Sequence, residues 1–267
     1  MIDYPAVGMV AFSGLLVGSF LNLVISRLPH EESILAPASN CEACHTALKL
    51  RHNIPVVSWV ATLGRCPYCP ARISVRYPMV ELVTAFLFGA ITLRFGVTVE
   101  LPAYLYLAAI GVILATIDAD VRRLPDAILL PSYVVCVLLL MPAGALDADA
   151  WRAARALGGM TGMWAVYFAL ALAYPAMDFA ESKLAGLIGL CLGWLSWSSV
   201  VIGLFAAFLI SGGTGLVLDG GARHRGQRAA DASARVPFAL SLVSAAVLAL
   251  FVSVPISHWY GSTLAVV

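Results

Sequence analysis

Charged residues are scarce in this sequence, and their scarcity excludes several classes of protein. Only 12% of the 267 residues are charged, whereas a soluble domain carries about 25%. The formal net charge of +1 excludes a strongly basic nucleic-acid binder. The sequence also lacks a glycine-rich nucleotide-binding fingerprint and a basic segment ahead of its first apolar run. That run is therefore not expected to be a secretory signal peptide.

Apolar residues make up 61% of the chain. Runs of about 20 apolar residues recur along it, which is the length that crosses a bilayer as a helix. Because the runs are continuous rather than alternating, they favour helices over the strands of a membrane barrel. We predict an all-α polytopic membrane protein with about eight transmembrane helices, at 5–26, 79–97, 101–118, 127–144, 155–175, 183–197, 198–217 and 237–256.

The basic residues indicate how these spans are oriented. The loops that follow odd-numbered spans hold 13 of the 16 Lys and Arg residues, and the other loops hold only Arg94, Arg152 and Arg155. Cytoplasmic loops are enriched in basic residues, so the odd loops are predicted to be cytoplasmic. Both termini are then expected to lie outside.

A polar insert, residues 30–78, separates the first span, 1–29, from the membrane core, 79–267. It contains two Cys-x-x-Cys pairs with 21 residues between them, formed by Cys41, Cys44, Cys66 and Cys69. Two such pairs supply the four thiolates of a structural zinc site, at a spacing close to that of a zinc ribbon. Disulfides are the alternative, but thiols stay reduced in the cytoplasm. We therefore predict that Zn²⁺ stabilises the insert.

Three further features carry expectations about packing. Asn22 is expected to hydrogen-bond a neighbouring helix or to contact substrate. Glu81 is expected to cap the N-terminus of the second span. Residues 211–235, rich in Gly, Ala and Arg, are expected to form a flexible cytoplasmic connection beside anionic lipid.

Acids interrupt the apolar pattern at two places. Asp118 and Asp120 lie between the third and fourth spans, and Asp178 and Glu181 lie between the fifth and sixth. Ionisable groups at membrane depth are costly and indicate a functional site. We predict that the two stretches face each other and form a two-carboxylate site at the cytoplasmic membrane edge. Local spacing alone favours a simpler role for these acids, in which they cap helices and balance nearby basic residues.

Several short motifs follow one another in a fixed order. They are Gly-Ser-Phe-Leu-Asn and Arg-Leu-Pro within 18–29, Asn-Ile-Pro at 53–55, Gly-Arg-Cys at 64–66, Arg-Tyr-Pro at 76–78, Leu-Pro-Asp at 124–126 and Pro-Phe at 237–238. Together with the cysteine pairs, they resemble the type IV prepilin peptidases, which are bacterial leader peptidase/N-methyltransferases. The resemblance spans nearly the whole chain. It departs at Ala239-Leu240, where the family commonly has Gly-Pro.

The resemblance implies an intramembrane aspartic endopeptidase that removes the leader of type IV prepilins or pseudopilins at the cytoplasmic face of the bacterial inner membrane. It also implies N-methylation of the new N-terminal residue, with S-adenosylmethionine as the methyl donor. Asp118 matches the first family aspartate because it precedes Pro125 by seven positions. Gly64 and Arg65 match a Gly-Lys/Arg pair that the family links to methyl transfer. The implied partners are prepilins or pseudopilins and membrane lipid.

The second acid motif departs from the family pattern Gly-x-Gly-Asp-x-Lys. Counting back from Lys183, the aspartate position holds Glu181 and the preceding glycine position holds Ala180. Glu181 is the expected second carboxylate. Asp178 is the alternative, since positions 178 and 181 share a face if the segment is helical. The altered motif also leaves open a catalytically impaired relative that binds pilin-like proteins as an assembly factor.

Overall fold

Most of the chain that the structure describes is helical. The computed structural model describes residues 3–30, 33, 43–44, 46–47, 54–147, 150–174, 178–224 and 238–264. Within these ranges the α-helices are Tyr4–Arg27 (α1), Val57–Ala61 (α2), Arg76–Phe95 (α3), Leu101–Val121 (α4), Asp126–Asp147 (α5), Ala150–Ala173 (α6), Phe179–Leu195 (α7), Trp197–His224 (α8) and Phe238–Leu264 (α9).

Six helices in the described ranges are long and apolar enough to cross a bilayer. They are α1, α3, α4 and the parts Asp126–Ala145 of α5, Trp151–Ala173 of α6 and Trp197–Val217 of α8. The Phe238–Ser253 part of α9 is a shorter apolar helix. The predicted all-α polytopic membrane fold is confirmed, and each predicted span corresponds to one of the eight long helices.

The chain forms two compact units, Met1–Ile117 and Asp118–Val267. In the first unit, α1 packs closely on α3 through two glycines. A Cβ atom on Gly14 would lie 2.7 Å from the Ala85 Cα, and one on Gly18 would lie 2.6 Å from the Glu81 Cα. Small residues let helices approach in lipid, where packing rather than water drives association.

Asn22 supplies a polar contact between the same two helices. Its side chain is buried, and Nδ2 donates to the Tyr77 carbonyl oxygen at 3.0 Å. The expected interhelical hydrogen bond is therefore confirmed. Such bonds hold helices together where no water competes.

The second unit is built around α7, which is buried along nearly its whole length. Its Gly189 lies against Gly159 of α6, and a Cβ atom on either would overlap the backbone of the other. A Cβ atom on Gly193 would lie 2.5 Å from the Arg155 carbonyl oxygen. Further contacts join α7 to α5, α8 and α9. The first turn of α7 is therefore placed by several neighbouring helices.

Two local expectations are wrong. Helix α3 begins at Arg76 with Pro78 in its first turn, so Glu81 lies in the second turn and does not cap the helix. Helix α8 continues to His224, so residues 211–224 are helical; residues 225–235 lie outside the described ranges. Residues 211–217 belong to a candidate membrane span, and a backbone in lipid must bond to itself, so even this glycine-rich part is helical.

Candidate active site and metal centre

The end of α4 buries one acid and exposes another. Asp118 is 8% exposed, whereas Asp120 is exposed. Positions two apart on a helix point to nearly opposite sides. The helix ends at Val121 because Arg122 adopts a left-handed conformation with φ of 55° and donates its N–H to the Asp118 carbonyl oxygen. Asp118 is thus the acid of this pair that faces the interior.

The N-terminus of α9 binds the Asp118 carboxylate. Oδ2 accepts the backbone N–H of Ala239 at 3.0 Å. The first N–H groups of a helix have no partner within the helix and carry partial positive charge, which suits a carboxylate. Sequence reasoning matched the Pro-Phe motif before Ala239 but assigned this N–H no role. Pro237 itself lies outside the described residues.

Glu181 lies in the first turn of α7 and is also 8% exposed. Its Oε2 atom is buried and has no hydrogen-bond partner among the described residues. Asp118 is close enough for its negative charge to act on Glu181, and Asp178 acts on it more weakly. The second unit therefore brings Asp118 and Glu181 into one buried region.

Asp178, the alternative second acid, has different surroundings. It is exposed and immediately precedes α7 in an extended conformation, and its side chain makes no capping bond to the helix. Glu181 and Asp118 have buried surroundings in common, whereas Asp178 lies outside them. The catalytic role of either acid stays a prediction.

Two further polar side chains of this region were missed by sequence reasoning. Tyr167 of α6 is buried and lies close enough to Glu181 to be affected by its charge. Ser182 is buried, and its hydroxyl has no partner among the described residues. Buried polar groups normally find partners, so the Ser182 hydroxyl leaves capacity to bind a water molecule or a peptide. The sequence signal for Tyr167 was a tyrosine inside an apolar span. That signal does not reveal its closeness to Glu181, which depends on helix packing.

Helix α5 fixes the first turn of α7 through two contacts. Lys183 Nζ donates to both carboxylate oxygens of Asp126 at 2.8 Å. The Tyr133 hydroxyl donates to the Lys183 carbonyl oxygen. The ion pair is partly exposed, so it contributes little stability. Because Lys183 lies two residues after Glu181, the ion pair instead helps to set the position of Glu181.

Three of the four predicted zinc ligands form a cluster in the first unit. The Sγ atoms of Cys44, Cys66 and Cys69 lie within 4.8 Å of one another, and no disulfide joins them. The Tyr68 N–H points to the Cys66 Sγ at 3.4 Å, a contact that stabilises a thiolate. Four thiolates around zinc lie about 3.8 Å apart, so the cluster can hold a metal ion of this kind. Cys41 lies outside the described residues.

Gly64 and Arg65, which precede the Cys66–Cys69 turn, have different roles in the fold. Gly64 has φ of 67°, and a Cβ atom there would lie 2.9 Å from the Trp59 ring, so only glycine fits. Arg65 forms an isolated antiparallel bridge with Arg72, and both are exposed. The bridge therefore pairs the backbones of two exposed arginines.

The helices and these two sites define a class, namely multi-pass helical membrane proteins that combine buried carboxylates with a cysteine cluster. Residues 12–95 match the family described as Bacterial Peptidase A24 N-terminal domain. No solved structure matches the chain at a significant level.

Curated relatives narrow this class. A prepilin leader peptidase/N-methyltransferase of Myxococcus xanthus is 38% identical over 199 residues, which cover 71% of this chain and 57% of the relative. One of Pseudomonas putida is 35% identical over 74% of this chain and 78% of its own length. One of Aeromonas salmonicida is 31% identical over 96% of this chain and 94% of its own length. The chain belongs to the prepilin leader peptidase/N-methyltransferase family, a family of enzymes, as its motifs predicted.

Proposed function

We infer that the chain is a membrane-embedded aspartic endopeptidase that removes the leader of type IV prepilins or pseudopilins. One observation carries the inference: Asp118 and Glu181, from separate helices, are buried in one region of the second unit. The names of the relatives, prepilin leader peptidases, support the substrate class. The distribution of basic residues supports a site on the cytoplasmic face of the bacterial inner membrane, with both termini outside.

The two carboxylates divide the acid and base roles between them. Two close carboxylates share one proton, because both cannot readily be charged. The Ala239 N–H favours the ionised form of Asp118, so Asp118 is the base that takes a proton as water attacks the scissile carbonyl. Protonated Glu181 donates to the carbonyl oxygen. When the C–N bond breaks, Glu181 regains its proton and Asp118 gives the proton it took to the leaving amine.

The same proposal assigns methyl transfer to the insert. S-adenosylmethionine, when bound, supplies the methyl group that the newly exposed N-terminal amine receives. Arg65 and Arg72 are the side chains that would bind the carboxylate of this donor. Cys41, Cys44, Cys66 and Cys69 would hold a structural Zn²⁺ that keeps the turn after Arg65 in place.

The test is a cleavage assay in liposomes, with a prepilin, S-adenosylmethionine and mass spectrometry of the product. Asp118→Asn and Glu181→Gln are each expected to lower cleavage by about 10²- to 10⁴-fold, the usual contribution of a general acid or base. The matched controls are the exposed acids, and Asp120→Asn and Asp178→Asn should stay near wild type. A methyl mass on the new N-terminus would establish the second activity.

Other results would change the proposal. Loss of cleavage with Asp178→Asn instead of Glu181→Gln would move the second carboxylate to Asp178. A zinc-loaded, folded wild type that cleaves none of several prepilins would reject the peptidase. It would favour a binding or assembly factor for pilin-like proteins, which the glutamate in the second acid motif also supports.

A further inference from the structure

One part of the polar insert, residues 54–64, is apolar and contains no charged residue. It includes α2, which presents aliphatic side chains outward. Val57 is 61% exposed, Val60 57% and Leu63 83%. Residues three apart lie on the same side of a helix. Val57 and Val60 therefore share one side of α2, and the exposed Leu63 follows in the turn after the helix. Three large apolar side chains within seven residues are thus uncovered, which is unfavourable in contact with water.

A contact with α3 fixes the depth of this segment. The backbone N–H of Val56, immediately before α2, donates to Glu81 Oε2 at 2.7 Å. Helix α3 has 20 residues, and at a rise of about 1.5 Å per residue its length equals the hydrocarbon thickness of a bilayer, about 30 Å. Glu81 is five residues from the start of α3 and lies about 7.5 Å inside that end. Because the Val56 N–H binds the Glu81 side chain, α2 begins within the reach of that side chain from this level.

The segment also satisfies the hydrogen-bond demands of lipid. The Ser58 hydroxyl donates to the Ile54 carbonyl oxygen at 2.7 Å, and the Thr62 hydroxyl donates to the Ser58 carbonyl oxygen at 2.9 Å. Trp59 Nε1 donates to the Ile73 carbonyl oxygen at 3.1 Å. Backbone N–H groups along the segment bond to carbonyls within it. An apolar segment with paired polar groups can leave water at low cost.

We propose that residues 54–64 form a membrane anchor whose exposed Val57, Val60 and Leu63 side chains lie in the lipid of the interface. The depth of about 7.5 Å falls within the range of about 5–10 Å at which interfacial helices lie. Arg65, the first charged residue after the segment, is exposed, as a residue on the water side of the interface should be. The anchor holds the cysteine cluster at the bilayer surface.

The test measures the environment of single positions. A fluorescent amino acid replaces Val57 or Val60 in the full-length chain, in vesicles of phosphatidylethanolamine and phosphatidylglycerol. The references are Phe86, exposed on α3, and Tyr68, exposed on the Cys66–Cys69 turn. Labels at 57 and 60 are expected to be quenched by spin-labelled lipid chains and to lose quenching by aqueous iodide, as at 86. The label at 68 should show the reverse.

Two outcomes would overturn the anchor. In a chain that retains zinc, iodide quenching at 60 as strong as at 68 would place this face in water. Iodide quenching that disappears only when prepilin is added would identify the face as a substrate surface instead of a lipid contact. Neither outcome depends on catalysis, so failure of the anchor and failure of the proposed peptidase are separate results.

Discussion

The cysteine cluster and the carboxylate region are assembled over different lengths of chain. Cys66 and Cys69 lie on one turn, and Arg65 and Arg72 close that turn by a backbone bridge. Asp118, by contrast, accepts a bond from a residue 121 positions away. A local turn depends on its own sequence, whereas a long-range site depends on the packing of several helices. Loss of the cysteine cluster should therefore leave the rest of the protein intact, whereas loss of the carboxylate region should accompany disruption of the helices around it.

The largest expected effect tests whether the cluster fails alone. Cys66→Ser removes a thiolate, so bound zinc and methyl transfer should be lost while prepilin cleavage stays near wild type. Metal content by atomic emission and the two product masses check this. Cys136→Ala removes a buried thiol of α5 and should retain zinc. Loss of cleavage together with methyl transfer in Cys66→Ser would show that the two sites are not separable.

The next effect concerns the bond from α9 to Asp118. Ala239→Pro removes the N–H but keeps proline in the first turn of a helix, where it is tolerated. A hydrogen bond to a charged group is worth about 1.5–3 kcal/mol, so cleavage should fall by about 10- to 150-fold. Ala239→Val is the matched control, because it keeps the N–H and adds a side chain of similar size at the same buried position. Equal losses in both variants would assign the effect to side-chain size and leave the N–H no particular role.

Helix packing should affect stability without touching an acid. Gly189→Ala places a methyl group against the Gly159 backbone, and such overpacking costs about 1–3 kcal/mol. The midpoint temperature of unfolding in detergent should fall. The rate of cleavage should fall as well, while the zinc content stays unchanged. Gly162→Ala in α6 meets nothing within 4 Å and should match wild type. Equal midpoints for the two variants would contradict the close approach of α6 and α7.

The smallest effect concerns the ion pair that fixes the start of α7. Asp126→Lys or Lys183→Asp should lower cleavage by about 1.5- to 5-fold, since a partly exposed pair is worth about 0.2–1 kcal/mol. The double variant restores opposite charges and should recover most of the rate. A double variant no better than the worse single one would assign the loss to something other than the pair.

The sequence predicted the eight long helices because each has an apolar run of its own. It also predicted the cysteine cluster, whose described members lie on or near one turn. Residue contacts across helices were less accessible. Glu81 was expected to cap α3 but binds Val56, and Tyr167 carried no motif. Such contacts depend on how helices rotate and pack against one another. The pattern of apolar residues within one helix does not say which residues of another helix will face it.

The bond between Ala239 and Asp118 has a consequence for how this family can diverge. Its donor is a main-chain amide, which every amino acid except proline supplies. Substitution by another apolar residue therefore keeps the hydrogen bond to the carboxylate. Ala239 is fully buried, so both the size and the polarity of its side chain are restricted. A change between small apolar residues can proceed here without a compensating change at the acid.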